Sequence, residues 1–330
     1  MKAQVITQFG EPSVFVSMDI PKPMLIPGHV LIRVLATSVN PIDCKIRAGM
    51  VPEIAPALPA VLHGDVVGVI EEIGDGVIQF KRGDEVYGFV GGVKGAGGAL
   101  AEYMLADATL LAKKPKALSL AETAALPIVS ITAWEALFSK AKLSEGQNIL
   151  IHGGVGGVGH IAVQLAKWAK ANVYTTVLAE DDINLAKSFG ADFVINAREE
   201  SVEDYVQRYT DGMGFDVVFD TVGGLNIDRS LQATKINGAV VTTSARSTHD
   251  LSVMHNKGLS LHVVFTLNPL LTGLGRAEHG QILMSIQKLA DAGYVRPLVD
   301  SRLFKIDQVE QAHMLLESGG ARGKVVMLQE

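Results

Sequence analysis

Asn148-Ile149-Leu150-Ile151-His152-Gly153-Gly154-Val155-Gly156-Gly157-Val158-Gly159 decides the reading of this chain. Asn148 to Ile151 is a short apolar run of strand type. His160 to Ala171 is helical in pattern, with Ile161, Leu165 and Trp168 at i, i+4 and i+7. Between them, Gly154-x-Gly156-x-x-Gly159 fits G-x-G-x-x-G, a weak signal alone but an informative one after a strand and at the opening of a helix. The chain must turn tightly, its backbone must come close to a ligand, and the helix must pack on the sheet. Side chains would obstruct all three. The helix N-terminus then offers free N–H groups and the positive end of its dipole to phosphate oxygens. The turn Gly153, Gly154, Val155, Gly156, Gly157, Val158, Gly159 therefore reads as the grip on a dinucleotide pyrophosphate; the plainer alternative is a structural glycine turn.

The sequence on either side supports the first reading. Downstream, Val173 to Val177, Phe193 to Asn196, Phe215 to Asp220, Ala239 to Thr243 and Leu261 to Phe265 read as further strands with helical runs between them. Asp182 to Phe189 is one such run, stopped at Gly190. Six strands joined by crossovers imply a parallel, doubly wound α/β sheet. Upstream, the first third is rich in Gly and Pro, with strand-like runs at Val30 to Leu35 and Val66 to Ile73 and a turn and strand at Lys81 to Gly88. It reads as a β-rich, partly barrel-like domain. Ser119-Leu120-Ala121-Glu122 is a capping box, and helix is expected from there through Leu137. After Phe265 the alternation ends. Gln281 to Ala292 and Val309 to Glu317 are expected helices, and Lys324 to Leu328 is a last strand that should return to the first domain. The expected division is residues 1–122 with 267–330 in one domain and 123–266 in the other.

Bulk properties narrow the class. The chain has 330 residues, 48% of them apolar, enough for two cores. A net charge of −6 argues against nucleic acid as partner. The N-terminus lacks a signal-peptide pattern, and no apolar run reaches the ~18 residues of a membrane span, so no membrane partner and a cytoplasmic location are expected. Cys44 is the single cysteine, which suits a reducing compartment. One cysteine and scattered histidines (His29, His63, His152, His249, His255, His262) cannot build a Cys-His-Cys zinc site. No G-x-S-x-G or H-E-x-x-H occurs.

Asn40-Pro41-Ile42-Asp43-Cys44-Lys45-Ile46-Arg47-Ala48-Gly49 resembles the N-P-[IV]-D-x-[YK]-[IL]-R-x-G motif of the zinc-free quinone oxidoreductase (ζ-crystallin-like) group of the medium-chain dehydrogenase/reductase superfamily. His63 to Ile70, Phe80 to Gly88, Gly97 to Tyr103, Ala124 to Pro127, Thr132 to Trp134 and Ala321 to Val326 extend the resemblance over essentially the whole chain. It implies a GroES-like catalytic domain made from both chain ends, a Rossmann domain inserted in it, and an active site in the cleft between them. In zinc-dependent members a cysteine stands at Asn40 and a histidine at Gly64. The resemblance puts Asn40 and Thr132 beside the nicotinamide and Gly153, Gly156 and Gly159 on the pyrophosphate. It puts Asp220, Val222, Gly223, Thr243 and Ser244 at later strand ends, Phe265 and Thr266 near the nicotinamide, and Lys324 near the cleft. The end of the second strand, Thr176 and Val177, should face the adenosine ribose.

Two departures bear on function. Lys45 stands where the group often has Tyr, and could donate a proton or bind an anionic acceptor; the alternative is a surface lysine. The Ser and Lys that hold a 2′-phosphate in the group are replaced by Glu180-Asp181-Asp182, which either repel that phosphate or merely open the next helix. The resemblance favours NADP and the local charge favours NAD; NADP is kept ahead. The expected activity is NADPH:quinone oxidoreductase-like, with hydride passing from nicotinamide to a quinone or conjugated carbonyl without a metal. An enoyl or acrylate-type double-bond reductase and a cofactor-binding protein with little turnover are the alternatives. Loops Gly91 to Gly98 and Asn268 to Gly275 should shape the substrate pocket, and the group's habit implies a homodimer through the Rossmann sheet edge.

Overall fold

The computed structural model describes residues 1–329. The chain forms two compact units, one from Met1–Ile128 together with the segment from Leu267 to the end of the described chain, the other from Val129–Thr266.

The second unit holds strands β1 (Asn148–His152), β2 (Asn172–Val177), β3 (Phe193–Asn196), β4 (Phe215–Asp220), β5 (Thr234–Thr242) and β6 (Ser260–Val263), in the order β3-β2-β1-β4-β5-β6. Every neighbouring pair is parallel. Helices on the sheet bury both faces of its central strands, so these read as unbroken apolar runs; Ile149, Leu150 and Ile151 are wholly buried. Leu150, Tyr174, Ile195, Phe215, Val218 and Val240 build one side of the core. Strand order reverses at β1, between β2 and β4. A doubly wound sheet binds ligands outside the strand ends at such a switch point. Here those ends are His152, Val177 and Asp220, with Asp220 in register with His152.

The first unit is β-rich. Strands Val299–Lys305, Lys324–Leu328, His29–Ser38, Asp65–Ile73, Glu85–Phe89 and Leu111–Lys113 follow one another across a sheet, with Tyr103–Asp107 also paired to His29–Ser38. A smaller sheet joins Phe15–Asp19, Lys2–Ile6 and Ala60–Val61. The C-terminal strand runs antiparallel to His29–Ser38, Val326 opposite Ser38, so both chain ends build this unit.

Several expected boundaries move. The first unit continues to Ile128 rather than stopping at residue 122, because the helix Leu120–Ala124 packs on strands His29–Ser38 and Asp65–Ile73 and the Ile128 amide donates to Asp65. The helix expected through Leu137 is broken before Pro127, which cannot supply an N–H, and its second part Pro127–Trp134 passes into a wider turn, Glu135–Lys140. Strand β6 ends at Val263, so Phe265 and Thr266 lie beyond it. The helix expected from Gln281 already begins at Arg276. Part of the loop expected from Asn268 is a short helix, Asn268–Thr272.

One buried chain of polar groups fixes the helix Pro41–Arg47, whose N-cap is Asn40. The Thr37 hydroxyl donates to the Asp65 carbonyl at 2.7 Å. Its oxygen must then accept from His63 Nδ1, 3.4 Å away. His63 Nε2 is left as acceptor for His313 Nε2–H at 2.9 Å, and His313 Nδ1 accepts the Cys44 thiol at 3.4 Å. The direction is consistent at every link. Burial pushes Cys44 up to about 12, keeping it a donor. Burial holds His63 well below the usual histidine range and His313 down at about 3, keeping both neutral. Arg47 adds an ion pair to Glu317 at 2.6 Å, so helix Val309–Glu317 clamps helix Pro41–Arg47.

These histidines set the acid limit of stability. His63, His313 and also His152, lowered to about 4 by burial, bind fewer protons folded than unfolded below the ordinary 6.5. Their stabilising contribution is complete above that value and is lost as pH falls, at about 1.4 kcal/mol per pH unit for each while it stays neutral. Asp43, raised to about 7 by burial, works in the opposite direction, one group against three. Urea unfolding is expected to show stability falling steadily from pH 6.5 to 4.5, with a shallower fall in His313→Gln. A flat profile contradicts the buried neutral chain.

Candidate functional site

The glycine turn grows from the packing at the strand ends. Gly153 takes φ +74, a conformation glycine adopts without strain. The Gly153 amide donates to Thr176 Oγ1 at 3.1 Å and the Gly154 amide to the Thr176 carbonyl at 3.0 Å. Thr176 therefore holds the turn, and Val177 is buried; Leu178 is the first exposed side chain past the strand. The glycines differ in why they lack a side chain. A Cβ at Gly159 would lie 2.0 Å from the Gly153 carbonyl oxygen, so that glycine is demanded by the protein's own packing. A Cβ at Gly156 meets only the Gly153 oxygen, at 3.2 Å. That contact is tight, though less so than at Gly159, and the turn brings bare backbone to the start of helix Gly159–Trp168, an arrangement that suits a pyrophosphate.

The neighbouring loops are built to match. Asp220 Oδ1 accepts from the Val222 and Gly223 amides at 2.8 and 3.0 Å and from Asn226 Nδ2 at 3.1 Å. A Cβ on Gly223 would strike Ser244, 2.7 Å away, so the loops after β4 and β5 touch. The Thr243 amide donates to the Asp220 carbonyl. Asp220 thus shapes the rim and is itself wholly buried, while Val222 is exposed. Thr132 and Thr266 share a hydrogen bond at 2.9 Å, and Thr266 donates to Glu135 at 3.5 Å. Phe265 is partly exposed beside them. Of the acids after β2, Glu180 and Asp181 are exposed, and Asp182 opens helix Asp182–Ser188.

In the first unit a second constellation surrounds Asn40, which is 2% exposed. Its Nδ2 donates to Asp65 Oδ2 at 2.8 Å, and its Oδ1 accepts from Lys324 Nζ. Its backbone amide donates to Asp43 Oδ2 at 2.8 Å. Asp65 also accepts from the Ser38 hydroxyl at 2.6 Å and the Ile128 amide at 2.9 Å. Lys324 donates to the Val39 carbonyl at 3.1 Å and lies 3.7 Å from Asp65 Oδ2. Burial pulls its ammonium down, while Asp65 and Asp43 pull it back up. Lys324, expected near the cleft, is engaged inside this cluster and only 5% exposed. Lys45 is exposed on the helix that Asn40 caps. Asp65, Asp43, Ser38 and His313 are the site residues that sequence reasoning did not single out. Asp65 stood inside a quoted motif, but its partners come from strand ends far apart in the chain.

These residues do not suit a catalytic zinc. Asn40 offers a carboxamide already held at both ends. At Gly64 a Cβ would lie 2.1 Å from the Phe89 ring and 2.7 Å from the Gly91 carbonyl oxygen, leaving no space for an imidazole. Cys44, His63 and His313 are close, yet His313 meets Cys44 through Nδ1 and His63 through Nε2, opposite edges of one ring, so the three cannot converge on one ion. Among the described residues no group of three or more His, Cys, Asp or Glu is arranged to hold a metal. Among them, too, no helix is long and apolar enough to cross a membrane.

Comparison with known proteins agrees with this architecture. Residues 26–116 match the alcohol dehydrogenase GroES-like domain, and residues 157–273 the zinc-binding dehydrogenase domain. The 2-methylene-furan-3-one reductase of Solanum lycopersicum is 35% identical over 334 residues, covering 99% of this chain and 79% of the relative. The quinone oxidoreductase of Homo sapiens is 29% identical over 330 residues, covering 99% and 98%. An alcohol dehydrogenase superfamily protein from Novosphingobium aromaticivorans superposes with a TM-score of 0.95 at 38% identity, covering 100% of both chains. A mycobacterial protein solved in complex with NADPH superposes with a TM-score of 0.87 at 28% identity, covering 99% of this chain and 100% of that one. With the GroES-like and Rossmann parts in place, and the zinc-ligand positions occupied by Asn40 and Gly64, the chain belongs to the medium-chain dehydrogenase/reductase superfamily, in its zinc-free quinone oxidoreductase group.

Proposed function

We propose that the chain is an NADPH-dependent reductase of quinones and related conjugated carbonyls. The observation that carries this reading is the glycine turn at the parallel sheet's switch point, opening directly into helix Gly159–Trp168. When bound, the dihydronicotinamide supplies a hydride. The chain's residues have the tasks of holding, orienting and protonating. The glycine turn, Gly153 to Gly159, takes the pyrophosphate, and the loops of Val222, Gly223, Thr243 and Ser244 flank it. The Thr132–Thr266 pair, with Phe265, lines the nicotinamide. Asn40 supports the acceptor, and Lys45, exposed, delivers a proton to the reduced oxygen or carbon. Hydride transfer of this kind rests on orientation, which fixed hydrogen bonds provide. The relative named a 2-methylene-furan-3-one reductase favours conjugated carbonyls alongside quinones. A cytoplasmic setting suits the buried free thiol of Cys44, and a second copy pairing along the outer edge of β6 is part of the same reading.

The direct test mixes purified protein with NADPH and a panel of 1,2- and 1,4-quinones, enones and unsaturated acids, following loss of the dihydronicotinamide absorbance. Oxidation above the blank with quinones or enones is expected. Tight NADPH binding with no turnover on any acceptor sinks the reading. In the same assay Lys45→Ala is expected to slow anionic acceptors most.

Cofactor grip gives a second test. Gly156→Ala is expected to lose less stability than Gly159→Ala but to raise the NADPH dissociation constant about tenfold, a loss of about 1.4 kcal/mol. Gly159→Ala is expected to lose about 1–3 kcal/mol of stability through overpacking against Gly153. Equal NADPH affinity in wild type and Gly156→Ala contradicts the pyrophosphate assignment.

Cofactor choice is the third. NADPH is expected to bind better than NADH, and Glu180→Ala/Asp181→Ser to widen that preference by removing charge near the ribose. A wild type that prefers NADH places those two acids on the ribose instead.

A further inference from the structure

Three side chains of the second unit stand in one hydrogen-bonded line apart from the glycine turn. Asp228 lies in the first turn of helix Asn226–Ala233, and Ser247 and His249 stand in the loop between β5 and helix Ser252–Lys257. His249 Nδ1 is 2.9 Å from Asp228 Oδ1, and His249 Nε2 is 2.5 Å from Ser247 Oγ. A carboxylate only accepts, so the ring proton sits on Nδ1 and donates to Asp228. Nε2 keeps its lone pair, and the Ser247 hydroxyl donates to it. That is the order of a nucleophile, a base and an acid that orients the base. The His249 side chain is only 9% exposed, whereas Ser247 is exposed. The base is thus shielded from water and the nucleophile is open to a ligand. Both ends of the loop are tied down. The Ser244 amide donates to Thr242 Oγ1 at 3.1 Å, and Asp250 Oδ1 accepts from the Ser252 amide and hydroxyl at 2.9 and 2.6 Å. Among the described residues the Ser247 and Thr248 backbone amides have no acceptor, so two N–H groups next to the nucleophile in the chain remain to be offered.

We propose that Ser247, His249 and Asp228 form a hydrolytic site, a Ser–His–Asp triad that cleaves small carboxylic esters. It goes beyond the reductase reading and needs no nicotinamide cofactor. Ser247 Oγ forms a bond to the ester carbonyl carbon as its proton passes to His249 Nε2. The carbonyl π pair moves onto oxygen, where the Ser247 and Thr248 amides serve as donors. Asp228 accepts from Nδ1–H throughout and stabilises the imidazolium, which makes it a positioning residue. When the electron pair returns, the bond to the alcohol oxygen breaks and the alcohol leaves with the proton from Nε2. Water then attacks the acyl carbon and loses a proton to His249, and Ser247 Oγ departs with that proton as the acid is released. The sum is ester and water consumed, alcohol and carboxylic acid formed, with nothing oxidised or reduced. Leu225, one turn before Asp228, and Leu251, two residues past His249, are 82% and 51% exposed, which favours a small apolar acyl group over a charged one.

The test uses the whole protein without NADPH. Two quantities are read: hydrolysis of p-nitrophenyl acetate, followed by release of p-nitrophenolate, and covalent labelling by phenylmethylsulfonyl fluoride, located by peptide mass. Wild type should hydrolyse the ester faster than buffer, and the label should sit on Ser247 and abolish that hydrolysis. Ser247→Ala should lose at least about tenfold of the rate and take no label, with its melting temperature unchanged because the side chain is exposed. Asp228→Asn should lower kcat at least about tenfold with KM within about threefold of wild type, since Asp228 touches the base and not the ester. A wild-type rate equal to buffer overturns the proposal. So does hydrolysis that persists in Ser247→Ala, or a label carried on another residue. The labelling is done on wild type, so it decides the matter even if a variant fails to fold. An Asp228→Asn variant with wild-type kcat removes Asp228 from the triad and overturns the assignment as drawn.

Discussion

The carboxylate of Asp65 is closed off from water and takes hydrogen bonds from the Ser38 hydroxyl, Asn40 Nδ2 and the Ile128 amide, with the Lys324 ammonium 3.7 Å away. Burying a charge costs several kcal/mol unless partners replace its water, and here the partners are drawn from four places in the sequence. Asp65 opens one strand; of its partners, Ser38 ends another, Asn40 caps a helix, Ile128 lies in helix Pro127–Trp134 and Lys324 begins the C-terminal strand. The acid can remain buried only if all four meet. The same requirement that holds this unit together therefore orients the Asn40 amide. Removing one partner leaves a buried ion uncompensated.

The neutral chain from Thr37 through His63 and His313 to Cys44 lies beside this cluster and answers a different need. It runs in one direction, each donor paired with one acceptor, and it ends on the backbone of Asp65 itself. Neutral rings clamp the Asn40 helix without adding charge next to Asp43, Asp65 and Lys324. In the other unit the glycine turn is set by its own packing: a Cβ at Gly159 would lie 2.0 Å from the Gly153 carbonyl oxygen, and one at Gly156 would press on the same oxygen at 3.2 Å.

Much of this was legible in the sequence, and the reasons are physical. Parallel strands buried on both faces announce themselves as apolar runs, so the six strands and their order of use were readable from Asn148 to Val263. The glycine turn was readable because only glycine satisfies its contacts. Local signals say least where tertiary contacts decide the outcome: that Thr176 supports the turn and Lys324 reaches Asn40 has no sequence signal. The first unit's extension to Ile128 depends on a backbone bond to Asp65, for which no residue pattern exists. The pairing of His63 with His313, separated by most of the chain, has no sequence signal either.

The match to a domain family described as zinc-binding stands against a donor set that cannot hold zinc: an amide locked at Asn40, a glycine at Gly64 pressed against Phe89, and a His313 ring that divides its nitrogens between Cys44 and His63. The central claim, as proposed, is that the chain reduces its acceptor from a bound dinucleotide without a metal. Its most direct test is NADPH-dependent reduction of 1,4-benzoquinone before and after exhaustive dialysis against a zinc chelator, with metal content measured on the same samples. The account predicts unchanged turnover with zinc far below stoichiometric. Loss of activity on chelation, restored by added zinc, would contradict it.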